Sequence, residues 1–203
     1  FYWLLIVAFI PTGVIGFVVK KSGMIDFMLN PDNAIWIVPI MLVVGGVFML
    51  FCDRIFNKGS ETNLLTERRA FWIGLIQCFS MIPGTSRSMA TIVGGMSQKL
   101  TRRRAAEFSF FLAVPTMAAA TGLDLLELFV GDHAVGTSWA TSDNIMMLIV
   151  GSVVAFIVAL LAMKWFVDFL SKYGFKWFGI YRIIVGAFIL AWMLTGHSMV
   201  MFD

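Results

Sequence analysis

Three hydroxyls and an arginine fall within six residues in Pro83-Gly84-Thr85-Ser86-Arg87-Ser88, inside a stretch that is otherwise apolar. Serine is a preferred helix N-cap, and the first four backbone N–H groups of any helix lack partners within it. If Ser86-Arg87-Ser88 opens a helix, those donors and the helix dipole favour an anion, phosphate above all. Arg87 adds a permanent charge whose planar fork matches phosphate oxygens two at a time. Gly84 has no Cβ, so backbone there can approach a ligand closely. The pattern predicts a phosphate-binding loop. Ser86 and Arg87 are its catalytic candidates, and Gly84, Thr85, Ser88 and Thr91 are its substrate-binding candidates. The plainer alternative is a Pro-Gly break that merely ends a helix, with Arg87 paired to a remote carboxylate.

What positions the hexapeptide is visible in its flanks. Residues 70–82 and 89–98 are apolar runs of roughly a dozen residues, about 15–20 Å as helix, well short of a ~30 Å hydrocarbon core. Two half-length helices meeting at a Pro-Gly break predict a re-entrant hairpin over residues 70–98 with its tip at membrane depth. Irregular backbone in lipid is tolerated only where protein covers it or where it lines a wet cavity. An arginine at that depth is a functional candidate by default.

Composition agrees. Sixty per cent of the 203 residues are hydrophobic and 13% charged, with a mean hydropathy of +0.89, which excludes an ordinary soluble domain. The expected fold is an all-α, polytopic membrane bundle forming a single domain over 1–203. Full spans are expected at residues 1–19, 34–51, 105–123 (kinked at Pro115), 145–166 and 178–195. Residues 20–33 are expected as a loop closed by Asn30-Pro31-Asp32, and 124–144 as an acidic connection. Gly45-Gly46 is a candidate close-packing site. Cys52 and Cys78 have neither paired nor metal-like spacing and are read as apolar filler. A net charge of +3 gives no reason to expect nucleic acid. The chain opens at Phe1 inside an apolar run, with no signal peptide, and is expected to be a piece of a longer protein.

Charge separates a hairpin from a kinked crossing. If residues 70–98 return to the side they came from, one side collects Arg54, Lys58, Arg68, Arg69, Lys99, Arg102, Arg103, Arg104, Lys164, Lys172 and Lys176, and the other keeps only Lys20 and Lys21. If they cross, the later loops swap sides and the split becomes nine to four. The positive-inside rule favours the larger asymmetry, with the basic side cytoplasmic and both chain ends near the outer face.

The hexapeptide, followed by Ala90-Thr91-Ile92 and Gly94-Gly95, resembles the signature of the undecaprenyl-diphosphate phosphatase family of the bacitracin-resistance BacA/UppP type. Ala106-Glu107-Phe108-Ser109-Phe110, Leu112-Ala113-Val114-Pro115 and Tyr181-Arg182 fit it too, so the resemblance covers nearly the whole chain. It implies hydrolysis of undecaprenyl diphosphate to undecaprenyl phosphate and inorganic phosphate at the bacterial plasma (inner) membrane, recycling the lipid carrier of cell-wall synthesis. It also implies an inverted repeat of two re-entrant hairpins opening outward, of which this chain carries half, and a divalent cation (Mg or Ca) as cofactor. Its partners would be the bilayer and the polyprenyl diphosphate, with a homodimer as a candidate assembly. Met89 departs from the glycine common in the family. The family's glutamate-rich motif and its Ser-Ser-Thr-Gly-His loop have no counterpart here. No metal ligands are visible, and His133 and His197 occupy loop-like or terminal positions.

Arg87 is expected to clamp the diphosphate and to stabilise charge as the bond to the leaving phosphate breaks. Ser86 has two readings, nucleophile or hydroxyl donor to phosphate. A nucleophile needs a nearby base and none is evident, so the donor reading is favoured. Glu107 follows a basic turn and is read as a structural salt-bridge residue, with Arg182 as its candidate partner. Arg182 could otherwise snorkel to the interface. The rival function is a transporter or flippase of an anionic lipid, since broken helices aimed at an anion are also a transporter design.

Overall fold

The computed structural model describes residues 1–56, 58–130 and 142–195, and every segment of regular structure among them is helical. The helices are α1 (Tyr2–Lys21), α2 (Met24–Leu29), α3 (Pro31–Phe56), α4 (Glu67–Gln77), α5 (Arg87–Ser97), α6 (Arg102–Val130), α7 (Ser142–Tyr173) and α8 (Lys176–Leu194). Among the described residues, five stretches are long and apolar enough to cross a bilayer: Tyr2–Lys21, Pro31–Phe56, Arg102–Leu123, Asn144–Tyr173 and Lys176–Leu194. Their outward faces carry large apolar side chains, and α7 is exposed throughout residues 144–165. In water such a surface would be an association site; on a chain of this composition it is a lipid-facing one.

The expected spans are present but longer. Pro31 opens α3 at the first helical turn, where the missing N–H of proline costs nothing, so Asn30-Pro31-Asp32 starts a helix instead of closing a loop. The expected loop at 20–33 itself contains α2. Pro115 lies inside α6 without ending it, and that helix runs on to Val130, seven residues past the expected limit. The rest of the expected acidic connection, like His133 and His197, lies largely outside the described residues.

The hairpin is a hairpin. Residues 70–98 form α4, a short 3-10 turn Cys78–Met81, a break at residues 82–86 and α5. Its two feet are tied together: Asn63 Nδ2 donates to Lys99 O at 2.9 Å, Ser60 N to the same carbonyl at 3.3 Å, and Arg104 Nη1 to Asn63 O at 3.0 Å. A crossing segment would hold those groups on opposite faces. Asp53 fastens the same end by accepting from Phe175 N at 2.8 Å and pairing with Arg102 at 3.0 Å, which joins α3, α6 and the start of α8. Fourteen residues of α3 separate Asp53 from Pro39, beside which the tip lies, so the tip stands about 20 Å above the feet.

Protein covers the hairpin, as irregular backbone in lipid requires. Residues 89–96 are buried without exception, and the core runs through Ile73, Ile92, Met96, Leu100 and Leu112. α4 leans on α1, where Gly74 backs onto Ala8 and its carbonyl accepts from Thr12 Oγ1 at 2.9 Å. α8 lies directly on α3. A Cβ on Gly46 would stand 2.8 Å from the Gly179 carbonyl, and one on Gly179 would stand 2.8 Å from the Gly46 carbonyl. This is the small-residue contact by which membrane helices bring their backbones together.

Candidate active site

The site is built where the hairpin tip meets α3, α6 and α8. Ile82 is extended, Gly84 turns left-handed at φ +84°, and Ser86 takes the extended geometry of an N-cap. The Ser86 hydroxyl oxygen accepts from Met89 N at 3.3 Å, so α5 begins where the sequence predicts. Ser88 Oγ is 3.2 Å from Ser86 Oγ. Both serines line a cavity of about 200 Å³ closed by Met49, Phe175, Tyr181 and Arg182.

Arg87 leaves the first turn of α5 toward α6. One terminal nitrogen, Nη2, donates to Leu112 O at 3.3 Å and to the Thr116 hydroxyl. Leu112 O also accepts from the Thr116 hydroxyl at 2.6 Å, so carbonyl, hydroxyl and guanidinium form one cluster on the inner face of α6. A guanidinium carries five N–H donors, and Nε and Nη1 of Arg87 make no hydrogen bond among the described residues. Arg87 is therefore anchored at one end with three donors to spare. Neither Arg87 nor Arg182 meets a carboxylate among the described residues, whose ion pairs are Arg102–Asp53, Arg103–Glu107 and Arg104–Glu61.

The remaining predicted residues are sorted by the tertiary structure. Gly84 is needed for contact with the protein more than with a ligand, since a Cβ there would stand 2.5 Å from Val38 O of α3. Thr91 is 2% exposed and its hydroxyl meets Ser109 Oγ at 2.5 Å, so it fastens α5 to α6 away from the serine cavity. Thr85 lines a separate apolar cavity of about 390 Å³ between α3 and the hairpin, and its hydroxyl is buried without a hydrogen-bond partner among the described residues. The pairing of Glu107 with Arg182 does not occur. Glu107 sits four residues after Arg103 on one helix face and pairs with it at 3.0 Å, both side chains being exposed. Arg182 neither reaches Glu107 nor snorkels. Its Nη2 donates inward to Gly84 O at 2.6 Å and to Met41 O at 3.3 Å. An exposed pair such as Arg103–Glu107 contributes little, because water and salt screen it. Glu107→Gln is accordingly expected to leave the melting temperature nearly unchanged, and a large drop would give Glu107 a role this geometry lacks.

Two positions that matter here carried little signal. Asp53 is one acid in an apolar helix end, and Thr116 is one hydroxyl beside a proline; only their distant partners give them meaning. The described residues do not fit the expected divalent cation, because no three His, Cys, Asp or Glu side chains among them come together. Nor does any histidine, carboxylate or lysine among them hydrogen-bond the Ser86 hydroxyl.

The family described as bacitracin resistance protein BacA matches residues 1–188. The chain belongs to the BacA family. An undecaprenyl-diphosphatase of Porphyromonas gingivalis is 47% identical over 199 residues, which cover 98% of this chain and 68% of that protein. One of Flavobacterium psychrophilum is 51% identical over 190 residues, covering 94% and 69%. One of Bdellovibrio bacteriovorus is 43% identical over 205 residues, covering 99% and 73%. The BacA match spans α1 to most of α8, so the hairpin, both arginines and the serine cavity all lie within it.

Proposed function

We propose that this multi-pass membrane protein hydrolyses undecaprenyl diphosphate to undecaprenyl phosphate and inorganic phosphate. The observation that carries the reading, beside BacA membership, is the hairpin tip. A helix N-terminus, two serine hydroxyls and guanidinium groups without carboxylate partners among the described residues meet about 20 Å above the feet of the hairpin, two-thirds of the way through a ~30 Å core. Two uncompensated charges at that depth are costly, and carbonyl partners solvate them without neutralising them. An anionic headgroup supplies the missing charge.

The lipid end of such a substrate has a place as well. Ser88 and Phe166, which border the serine cavity, also border an apolar groove of about 530 Å³ between α6 and α7, lined by Ala113, Met117, Ala159 and Ala162. A diphosphate seated at the serines would thus continue into the groove as its prenyl chain.

Water adds to the terminal phosphorus and releases a proton to solvent, the bond to the bridging oxygen breaks, and the electron pair stays with the departing undecaprenyl phosphate. Negative charge grows on that oxygen, and Arg87 and the α5 N-terminus are set to receive it. Ser86 accepts from Met89 N and shares a contact with Ser88 Oγ; with Ser88 donating there, the Ser86 proton is left for phosphate, and no base among the described residues is placed to make it a nucleophile. Orientation follows from charge. The basic end at the hairpin feet faces the cytoplasm of a bacterial plasma membrane, and the tip is reached from the outer half.

Full-length protein in detergent, given undecaprenyl diphosphate, is expected to release inorganic phosphate. Ser86→Ala is expected to be about tenfold slower, since one neutral donor and one cap are lost. Ser86→Ala as fast as wild type would remove the hydroxyl from the mechanism. Wild type that binds the lipid yet releases no phosphate with or without divalent ions would make the protein a carrier of that lipid.

A further inference from the structure

We propose that Arg182 is a second headgroup-binding cation, taking the diphosphate together with Ser86 and Ser88. The inference rests on the phosphatase reading and adds a contact that the tip sequence does not contain.

Arg182 borders the cavity that Ser86 and Ser88 line, whereas Arg87 does not. Its Nη2 is held by Gly84 O and Met41 O, so the guanidinium is fixed to the tip itself, two residues from Ser86. Its Nε is buried and has no hydrogen-bond partner among the described residues. A buried charged donor left unpaired is costly, and such groups in native structures call for a partner that protein atoms do not supply. No carboxylate among the described residues neutralises it. Space has also been kept for this guanidinium. A Cβ on Gly45 would stand 2.9 Å from Arg182 Nη2 and 3.5 Å from the guanidinium carbon. The cavity holds about seven water volumes, enough for a phosphate group beside the two hydroxyls.

The two arginines therefore have parallel designs. Each is anchored through Nη2 to main-chain oxygen, Arg87 on α6 and Arg182 on the tip and α3, and each keeps other donors free. A diphosphate has two charged groups, and two fixed guanidinium groups on different sides of the tip suit it better than one.

The test uses inorganic pyrophosphate as the probe, read two ways on full-length protein in detergent: inhibition of phosphate release, and upward shift of the melting temperature. Wild type is expected to show both. Arg182→Gln is expected to weaken pyrophosphate binding and to raise KM for the lipid by about tenfold or more, the scale of a lost charge-assisted contact. Arg182→Lys should recover part of the binding, because charge returns without the fork. Gly45→Ala provides a second route, since it displaces the guanidinium while keeping the residue, and it should weaken pyrophosphate binding in the same direction. A folded Arg182→Gln protein whose pyrophosphate affinity stays within twofold of wild type overturns the proposal. If Arg182→Gln does not fold, unchanged affinity in Gly45→Ala overturns it. The melting shift does not depend on turnover, so a wild type that binds pyrophosphate but releases no phosphate would count against the phosphatase reading alone.

Discussion

Arg87→Ala is expected to lower phosphate release from undecaprenyl diphosphate by about a hundredfold or more, close to 3 kcal/mol of transition-state stabilisation. The expectation comes from where the guanidinium stands. Nη2 is occupied by Leu112 O and Thr116, which sets the fork at one angle, and the three remaining N–H groups have no protein acceptor among the described residues. Alanine removes those donors and the charge together. Folding should suffer little, because losing a half-buried uncompensated charge offsets the lost contacts to α6. Arg87→Lys should remain at least tenfold impaired. One ammonium cannot hold Leu112 and Thr116 and also present a fork to phosphate. Phosphate release and melting temperature, measured side by side, check both. Arg87→Ala within threefold of wild type would confine Arg87 to joining α5 with α6.

The second large effect is expected at Gly84. Its φ of +84° costs an alanine about 1–2 kcal/mol, and the new Cβ would stand 2.5 Å from Val38 O and 2.9 Å from Val38 Cα. That neighbour is helix backbone next to Pro39 and cannot swing aside, so either α3 shifts or the tip withdraws. Withdrawal takes Gly84 O away from Arg182 and moves Ser86 within the cavity. A total cost of about 3 kcal/mol would lower the melting temperature by roughly 10 °C for a chain of this size. Phosphate release should be nearly abolished even below that temperature. Gly23→Ala is the control. Its φ is +72°, but nothing lies within 4 Å of the added Cβ, so it carries the backbone strain without the collision. Equal losses in the two variants would mean that strain alone matters at Gly84 and that contact with α3 does not.

The hairpin was legible because its causes are local. Half-length apolar flanks, a Pro-Gly break, a serine in front of Arg87 and basic residues gathered at one end each follow from short-range sequence, and the tied feet at Ser60, Asn63 and Lys99 agree with them. Less was legible at the site. The motif suggested that its hydroxyls share a ligand, yet Ser86 and Ser88 line one cavity, Thr85 lines another with its hydroxyl buried, and the Thr91 hydroxyl meets Ser109. In one turn of helix, neighbouring residues point about 100° apart, so adjacency in a motif separates side chains as readily as it gathers them.

Arg182 makes the same point over a longer range. It reaches a carbonyl 98 residues earlier in the chain and another 141 residues earlier. Its partner could not be read from the chain because two helices must first close to backbone contact at Gly46 and Gly179. Glu107 was open to a remote partner and took the nearest one, Arg103, four residues back, since an exposed i, i+4 pair needs no tertiary closure. The sequence by itself determined the all-helical membrane class, the re-entrant hairpin, the N-cap at Ser86 and the resemblance to the BacA family. These depend on periodicity, length and local capping, which a chain carries wherever it goes. Only the tertiary structure decided which arginine faces the serines, that Gly84 makes room for α3, and that Asp53 closes the far end. Each of those is a contact between segments whose separation along the chain says nothing about their distance in space.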